Sequence, residues 1–308
     1  MSEIILHNYP QSPVAEKVRV ALGIKQATWR LVEIPRIPPK PDLVKLTGGY
    51  RRTPVMQIGA DIYCDSQHIM RVLDGRPGPT LQPRVEGLIW FLSRYADGEF
   101  FSLAVKLVLG SAGDALPADF AEDRGRLYLG PDWADKLKEA NSDLPHLAAQ
   151  MRAPLSWLDD LLSDGRSYLI GEEPGVLDAQ IYHVIWFLRG RWDQGPAFLS
   201  EFKNLLQWED TVRDLGHGTQ SDMSAADAIA IAAAASPAHA KGVAPGDPQG
   251  LAVGQSVVIK PDVNGGEQPV EGTIWAANAE EVTIHRLDAD CGDLCVHFPR
   301  AGYRIDPV

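Results

Sequence analysis

The first eighty residues alternate between two hydrophobic periods. Ile4 to Leu6 is apolar and β-branched, as in a strand. Ala15 to Leu22 repeats at helical spacing, with Val18, Ala21 and Leu22 on one side and Glu16, Lys17 and Arg19 elsewhere. Trp29 to Ile34 reads as a second strand, and a proline-rich loop through Pro35, Pro38, Pro39 and Pro41 follows it. Val55 to Ile58 and Ile62 to Cys64 are short strands joined at Gly59-Ala60, which is hairpin spacing. Ser66 then stands where a helix N-cap belongs, before a helix through Asp74. The order is β-α-β, then β-β-α.

From about Pro83 to Leu215 only helical patterns remain: Val85 to Tyr95, Trp133 to Leu162, Leu177 to Leu188 and Phe202 to Leu215. Trp90, Trp157, Trp186 and Trp208 each fall on the apolar side of such a run and are expected to pack helix on helix. Ser224 to Ala235 is alanine-rich, with an S-x-x-D start that suits a short helix. Ser236 to Gly250 is rich in Pro, Gly and Ala and reads as a linker. Beyond it, period-2 strands return at Ser256 to Lys260, Gly272 to Trp275, Val282 to Arg286 and Leu294 to Phe298, with turn residues such as Asn264-Gly265-Gly266 between them. A small β-barrel, SH3-like in size, fits that spacing. The boundaries expected are 1–81, 82–222, a linker at 223–249 and the β-domain at 250–308.

At 308 residues and 45% hydrophobic, the chain has enough apolar material for two or three ordinary cores. Its charge of −12 argues against nucleic acid or an anionic membrane as partner. The last domain alone carries four bases against nine acids, which makes an acidic phosphate ligand improbable there. Three cysteines make no disulfide framework. The opening Met1-Ser2-Glu3-Ile4 has an acid where a secretory signal has bases, and the small-apolar stretch from Ala228 to Ala235 is far short of the ~20 residues a membrane helix needs. A cytoplasmic location is expected.

Three places can carry chemistry. Strand Ile4 to Leu6 leads through Tyr9 and Pro10 to Ser12-Pro13, where proline suits the first helical position and makes Ser12 the N-cap. Unsatisfied N–H groups and the helix dipole favour an anion there, and a thiolate so placed has its pKa held below the usual value of about 8.5. Arg51-Arg52-Thr53-Pro54-Val55 puts a proline at the opening of a strand, a candidate cis bond that leaves the backbone of Val55 to pair with another extended chain. Asp65-Ser66 offers a carboxylate and a hydroxyl at a helix start, able to hold the ammonium and carboxylate of an amino acid. Taken singly, each of these is more often a plain cap or a plain edge proline.

Together, S-P-V-A-E-K-V-R-V-A-L (Ser12 to Leu22), R-T-P-V (Arg52 to Val55) and Y-C-D-S-Q-H-I (Tyr63 to Ile69) resemble, in order and spacing, the N-terminal domain of cytosolic glutathione transferases. The helical stretch is similar to that family's C-terminal domain, and the resemblance covers roughly Ser2 to Leu215. It implies a thioredoxin-like α/β domain, then an all-helical domain, usually in a homodimer. It implies glutathione as co-substrate, held by the backbone of Val55 after a cis-Pro54, by Thr53, and by Asp65 and Ser66 at its γ-glutamyl end. Arg51 and Arg52 are placed to meet its glycyl carboxylate, with exposed solvated charges as the alternative. Ser12 matches the serine that favours the glutathione thiolate in several classes, and Tyr9 is the alternative.

The implied activity is transfer of an alkyl or aryl group from a small electrophile to that thiolate, in detoxification. Tyr95, Phe100 and Phe101 are candidates to line the electrophile pocket, with packing in the helix core as the alternative. A non-catalytic transferase scaffold serving protein contacts, and a glutathione peroxidase on the same site, are the alternatives. Ser12-x-x-Ala15 stands where redox relatives keep C-x-x-C, so thiol–disulfide exchange has no nucleophile there. Gly175 to Asp178 is similar to the family's helix-capping motif, with glycine in place of the hydroxyl residue. His7 reads as a strand-end histidine and Cys64 as a small buried hydrophobe. No histidine spacing suggests a metal, and Cys291-x-x-x-Cys295 alone is weak for zinc, so no metal is expected. The resemblance leaves the last domain unexplained.

Overall fold

A computed structural model describes residues 3–83, 87–263 and 265–308. Val85 at the start of the expected helical run, Asn264 of the expected turn, and Met1-Ser2 lie outside them. β1 (Ile4–Asn8) is buried at every position, as Ile-Ile-Leu requires of a strand covered on both faces. A turn closed by Ser12 N–H donating to the Tyr9 carbonyl (3.1 Å) leads into α1 (Pro13–Ile24). β2 (Thr28–Glu33) follows, then α2 (Pro41–Thr47), a helix inside what reads as a proline-rich loop. Pro41 opens α2 at a position where no N–H is needed, and Gly48 closes it at φ +77°. β3 (Val55–Ile58), β4 (Asp61–Cys64) and α3 (Ser66–Asp74) complete the first run.

The helical region begins with α4 (Leu88–Tyr95), which passes through a wide π-turn at 96–100 into α5 (Phe101–Ala112). Asp97 in that turn forms an ion pair with the fully buried Lys17. α6 (Ala118–Leu129) precedes α7 (Trp133–Ser142) and α8 (Leu144–Leu161). The single helix expected from Trp133 to Leu162 is thus two. Asp143 leaves helical geometry and Pro145, in the first turn of α8, has no N–H to continue the α7 ladder. α9 (Val176–Arg191), α10 (Gly195–Leu199) and α11 (Lys203–Asp214) end the region. Trp90 and Trp208 are buried as expected. Trp186 is half-buried, and Trp157 is 65% exposed because it faces an open apolar cavity rather than a neighbouring helix.

The chain then forms β5 (Thr219–Asp222), α12 (Ala225–Ala233), β6 (Gly242–Val243), β7 (Ser256–Pro261), β8 (Val270–Ala277), β9 (Glu281–Asp288), β10 (Gly292–Pro299) and β11 (Tyr303–Pro307). Residues 223–249 therefore carry a helix and a short strand. Ala228 and Ala232 are small enough to bring α12 down onto the sheet, where both are fully buried.

Contacts divide the chain into two units: 1–15, 28–72 and 219–308 form one, and 16–27 with 73–218 the other. The first unit holds a sheet in the order β11-β7-β8-β9-β10-β4-β3-β1-β2-β5, with β6 beside β8. The decisive pairing is β10 with β4, parallel, setting Cys295 opposite Asp61 and His297 opposite Tyr63. The C-terminal strands thus extend the N-terminal sheet. Both halves share one core, in which Ile5, Val55 and Ile62 pack in the same cluster as Ile259, Val296 and Phe298. The second unit is the helical one.

Candidate functional site

β3 runs antiparallel to both β1 and β4, with His7 opposite Val55 and Val55 opposite Cys64. The chain just after β1, just before β3 and just after β4 therefore emerges at one edge of the sheet, on strands about 4.8 Å apart. That edge gathers Ser12, Thr53-Pro54-Val55 and Asp65-Ser66. The starts of α1 and α3 meet there, each with unsatisfied N–H groups and a positive dipole end.

Ser12 is 2% exposed, and its Oγ accepts from Ala15 N–H at 3.1 Å. Accepting through a lone pair leaves the hydroxyl hydrogen to donate. Tyr9 sits in the hydrophobic core, with the Lys40 ammonium 5.8 Å from its ring centre. Lys40 also donates to the Arg51 carbonyl and to Thr53 Oγ1, both at 3.0 Å, and so ties down the loop before Pro54. The Thr53–Pro54 bond is cis, and Val55 is fully buried. His7 is buried against Gln57 (2.9 Å), and burial pushes its pKa down to about 4, which keeps it neutral.

At the start of α3 the cap is Asp65 rather than Ser66. Asp65 has φ +75°, a left-handed conformation that aspartate tolerates. Its Oδ1 accepts from Gln67 N–H at 2.9 Å and its carbonyl from Ile69 N–H at 2.9 Å. Ser66 is the first helical residue, 5% exposed.

Three of the expected ligand residues, Asp65, Arg52 and Arg51, also meet the C-terminal region. The Tyr303 hydroxyl lies 3.2 Å from both Asp65 Oδ2 and the Tyr50 hydroxyl, and Tyr50 in turn accepts from Asp65 N–H at 3.2 Å. Burial first, and the Asp65 carboxylate with it, pushes the pKa of both tyrosines well up, so both remain protonated donors. Arg52 forms an ion pair with Glu267, and Arg51 donates to the Gly265 carbonyl at 3.2 Å. Neither Glu267 nor Tyr303 has a local signature. One hint existed in β4: Asp-Ile-Tyr-Cys lacks the lysine or proline that usually protects an open edge, as suits a strand that acquires a neighbour. His68, also on α3, lies with Glu281 and His297 so that one ligating atom of each falls within 4.8 Å of the others. No spacing along the chain foretells that grouping.

Models of the glutathione S-transferase N-terminal and C-terminal domains match residues 6–81 and 131–211. A solved GST-like protein from Pseudomonas syringae is 36% identical, with all of both chains covered and a TM-score of 0.83. The chain belongs to the glutathione S-transferase family. Its members use glutathione as co-substrate, bind electrophiles and commonly form dimers. The Tau class glutathione S-transferase MiGSTU from mango, Mangifera indica, is 19% identical over 70% of this chain and 92% of its own, with a TM-score of 0.52. Poplar glutathione transferase F1 is 14% identical over 70% and 97%, with a TM-score of 0.50. These two share the fold. Comparison with curated proteins finds no significant match.

Within the helical unit, the family's capping motif is present with Asp178 1% exposed. Asp178 Oδ1 accepts from Leu169 N–H (2.9 Å) and Trp208 Nε1–H (2.8 Å), and Oδ2 from Gly175 N–H (2.9 Å). Glycine stands in place of the hydroxyl residue at a tight spot, where a Cβ at 175 would sit 3.0 Å from the Leu81 carbonyl oxygen and 3.1 Å from Pro83. An apolar cavity of about 490 Å³ in the same unit is lined by Tyr95, Phe100, Trp157 and Leu161, among others. Phe101 instead packs in the helix core against Tyr128 and His183. Among the described residues no helix is long and apolar enough to cross a membrane. Cys64, Cys291 and Cys295 are buried free thiols, and burial pushes the pKa of the last two up to about 12.

Proposed function

We propose that the chain is a glutathione transferase that conjugates the thiolate of reduced glutathione to small electrophilic organic compounds. The observation that carries this reading is the convergence of Ser12, Val55 and Asp65-Ser66 on one sheet edge, where two helices begin. The Asp65 carboxylate receives the γ-glutamyl ammonium, and Ser66 with the start of α3 receives its carboxylate. The backbone of Val55 pairs with the cysteinyl unit, with Thr53 and Pro54 shaping the turn before it. Arg52 stands by the glycyl carboxylate.

The glutathione S–H proton passes to solvent, and the Ser12 hydroxyl donates to the sulfur anion that remains. A larger thiolate fraction then attacks the electrophile, forming the S–C bond as the leaving group departs with its electron pair. Ser12 is favoured over Tyr9 because its hydroxyl hydrogen is left to donate at a helix N-terminus, whereas the Tyr9 ring is held in the core. A homodimer at work in the cytoplasm completes the proposal.

Calorimetric titration of the full chain with reduced glutathione tests it. Saturable binding is expected, weakened about tenfold or more in Ser66→Ala through loss of a hydrogen bond to a charged group. Ser12→Ala is expected to bind glutathione but to lose turnover at neutral pH by about tenfold for each unit that the thiol pKa rises. Absence of binding at millimolar glutathione by the unaltered chain would overturn the proposal and point to a scaffold serving protein contacts.

A further inference from the structure

We propose that His68, Glu281 and His297 form a binding site for a divalent transition metal of the zinc class, with His239, beside Glu281, turning in as the fourth ligand. His68 comes from α3, Glu281 and His297 from β9 and β10, and His239 from the segment before β6. His68 Nε2 lies 3.5 Å from Glu281 Oε2, His297 Nδ1 lies 2.9 Å from Glu281 Oε1, and His239 Nε2 lies 3.6 Å from the same oxygen. A tetrahedral zinc ion with bonds of about 2.0–2.1 Å sets its ligand atoms roughly 3.3–3.4 Å apart. The separations from Glu281 are near that, and the ligating atoms of His68, Glu281 and His297 all lie within 4.8 Å of one another, so these three close on an ion by side-chain adjustment. Imidazole nitrogens with one carboxylate suit zinc, cobalt or nickel better than magnesium or calcium, which prefer all-oxygen sites.

Two further observations point to a ligand. His68 Nε2 is buried, and among the described residues no partner gives it a hydrogen bond. A buried orphan nitrogen is costly, and a cation is what its lone pair would serve. The far nitrogen of His297, Nε2, lies 2.9 Å from Asp61 Oδ1. This is the carboxylate–histidine arrangement that orients a metal-bound imidazole. The competing account is a plain hydrogen-bonded network, with His297 held between Asp61 on one side and Glu281 and Thr283 on the other. That account satisfies His297 and leaves His68 Nε2 with the Glu281 carboxylate 3.5 Å away but no hydrogen bond. The metal would clasp the helix that begins at Ser66 to the C-terminal strands.

The test strips the full chain with a chelator, then titrates it with Zn²⁺ and, as a spectroscopic stand-in, Co²⁺. One metal per chain is expected, with the intense visible absorption of tetrahedral cobalt. His68→Ala should abolish stoichiometric uptake. The thermal midpoint of the metal-free variant, which reads the lost packing of the buried ring, is compared with that of the unaltered metal-free chain to show that the variant is folded. Asp61→Asn should weaken binding by about 10–100-fold. If His68→Ala fails to fold, Glu281→Gln takes its place with the same expectation. Failure of the stripped chain to take up either metal, or uptake unaltered by the His68 or Glu281 change, would overturn the proposal.

Discussion

Two carboxylates stand at the starts of two helices, and their surroundings differ. Asp178 is buried in the helical unit and accepts from two backbone amides and the Trp208 indole. Burial raises its pKa even against those three donors. Asp65 is half-buried in the sheet unit, sits in a left-handed conformation, and has a tyrosine from the chain's last strand beside it. A carboxylate in a dry pocket whose oxygens are taken up by the chain's own donors holds loops together. One that keeps solvent access beside an open helix start can meet a ligand. The same local signal, an acid at a helix N-terminus, thus serves scaffolding in one unit and, in the proposed function, recognition in the other.

That contrast can be broken by exchanging what each acid loses. Asp178→Ala leaves three buried donors without an acceptor and should cost about 3 kcal/mol or more, read as a fall in the urea midpoint. Asp65→Asn keeps an acceptor oxygen and the left-handed backbone, so stability should stay within about 0.5 kcal/mol. Its glutathione affinity should nevertheless drop about tenfold or more with the lost charge. Equal stability losses at the two positions would erase the distinction.

The contrast sharpens with pH, because α9 also buries His183, whose pKa burial pushes down to about 3. The folded value lies below the unfolded value of 6.5, so protons bind the unfolded chain first. The stabilisation is full above pH 6.5 and is lost as pH falls from there toward 3. At pH 5 the loss amounts to about 2 kcal/mol, and His183→Leu should flatten the fall in urea midpoint between pH 7 and 5. A slope unchanged by that substitution would contradict the reading. The smallest effect belongs to Tyr303→Phe. It should cost about 1 kcal/mol and shift glutathione affinity only a few-fold, since Asp65 keeps Gln67 N–H as a donor.

Local chemistry was legible where the deciding contacts are local. β3 and α3 match their expected bounds because turn residues and alternation mark both ends. Ser12, Pro54 and Asp65-Ser66 were visible as caps and a strand-opening proline. β5 was not, since Thr-Gln-Ser-Asp is polar and exposed throughout and is held by backbone pairing with β2 and the Arg30–Ser221 side-chain hydrogen bond. α2 was hidden by its prolines, although Pro41 and Gly48 are proper helix punctuation. Glu267, Tyr303 and the histidine group depend on β10 choosing β4, a long-range pairing that no window of sequence contains.

That pairing has a consequence in time. Asp61 and His297 are 236 positions apart in the chain, so β10 is made long after β4. At roughly 5–20 residues per second of synthesis, β4 waits about 10–50 s for its neighbour. The helical unit, rich in local contacts, can order itself in that interval. The growing polypeptide meanwhile carries an open strand edge with no charged guard after Asp61, and this is where chaperones or a second nascent copy would find a template.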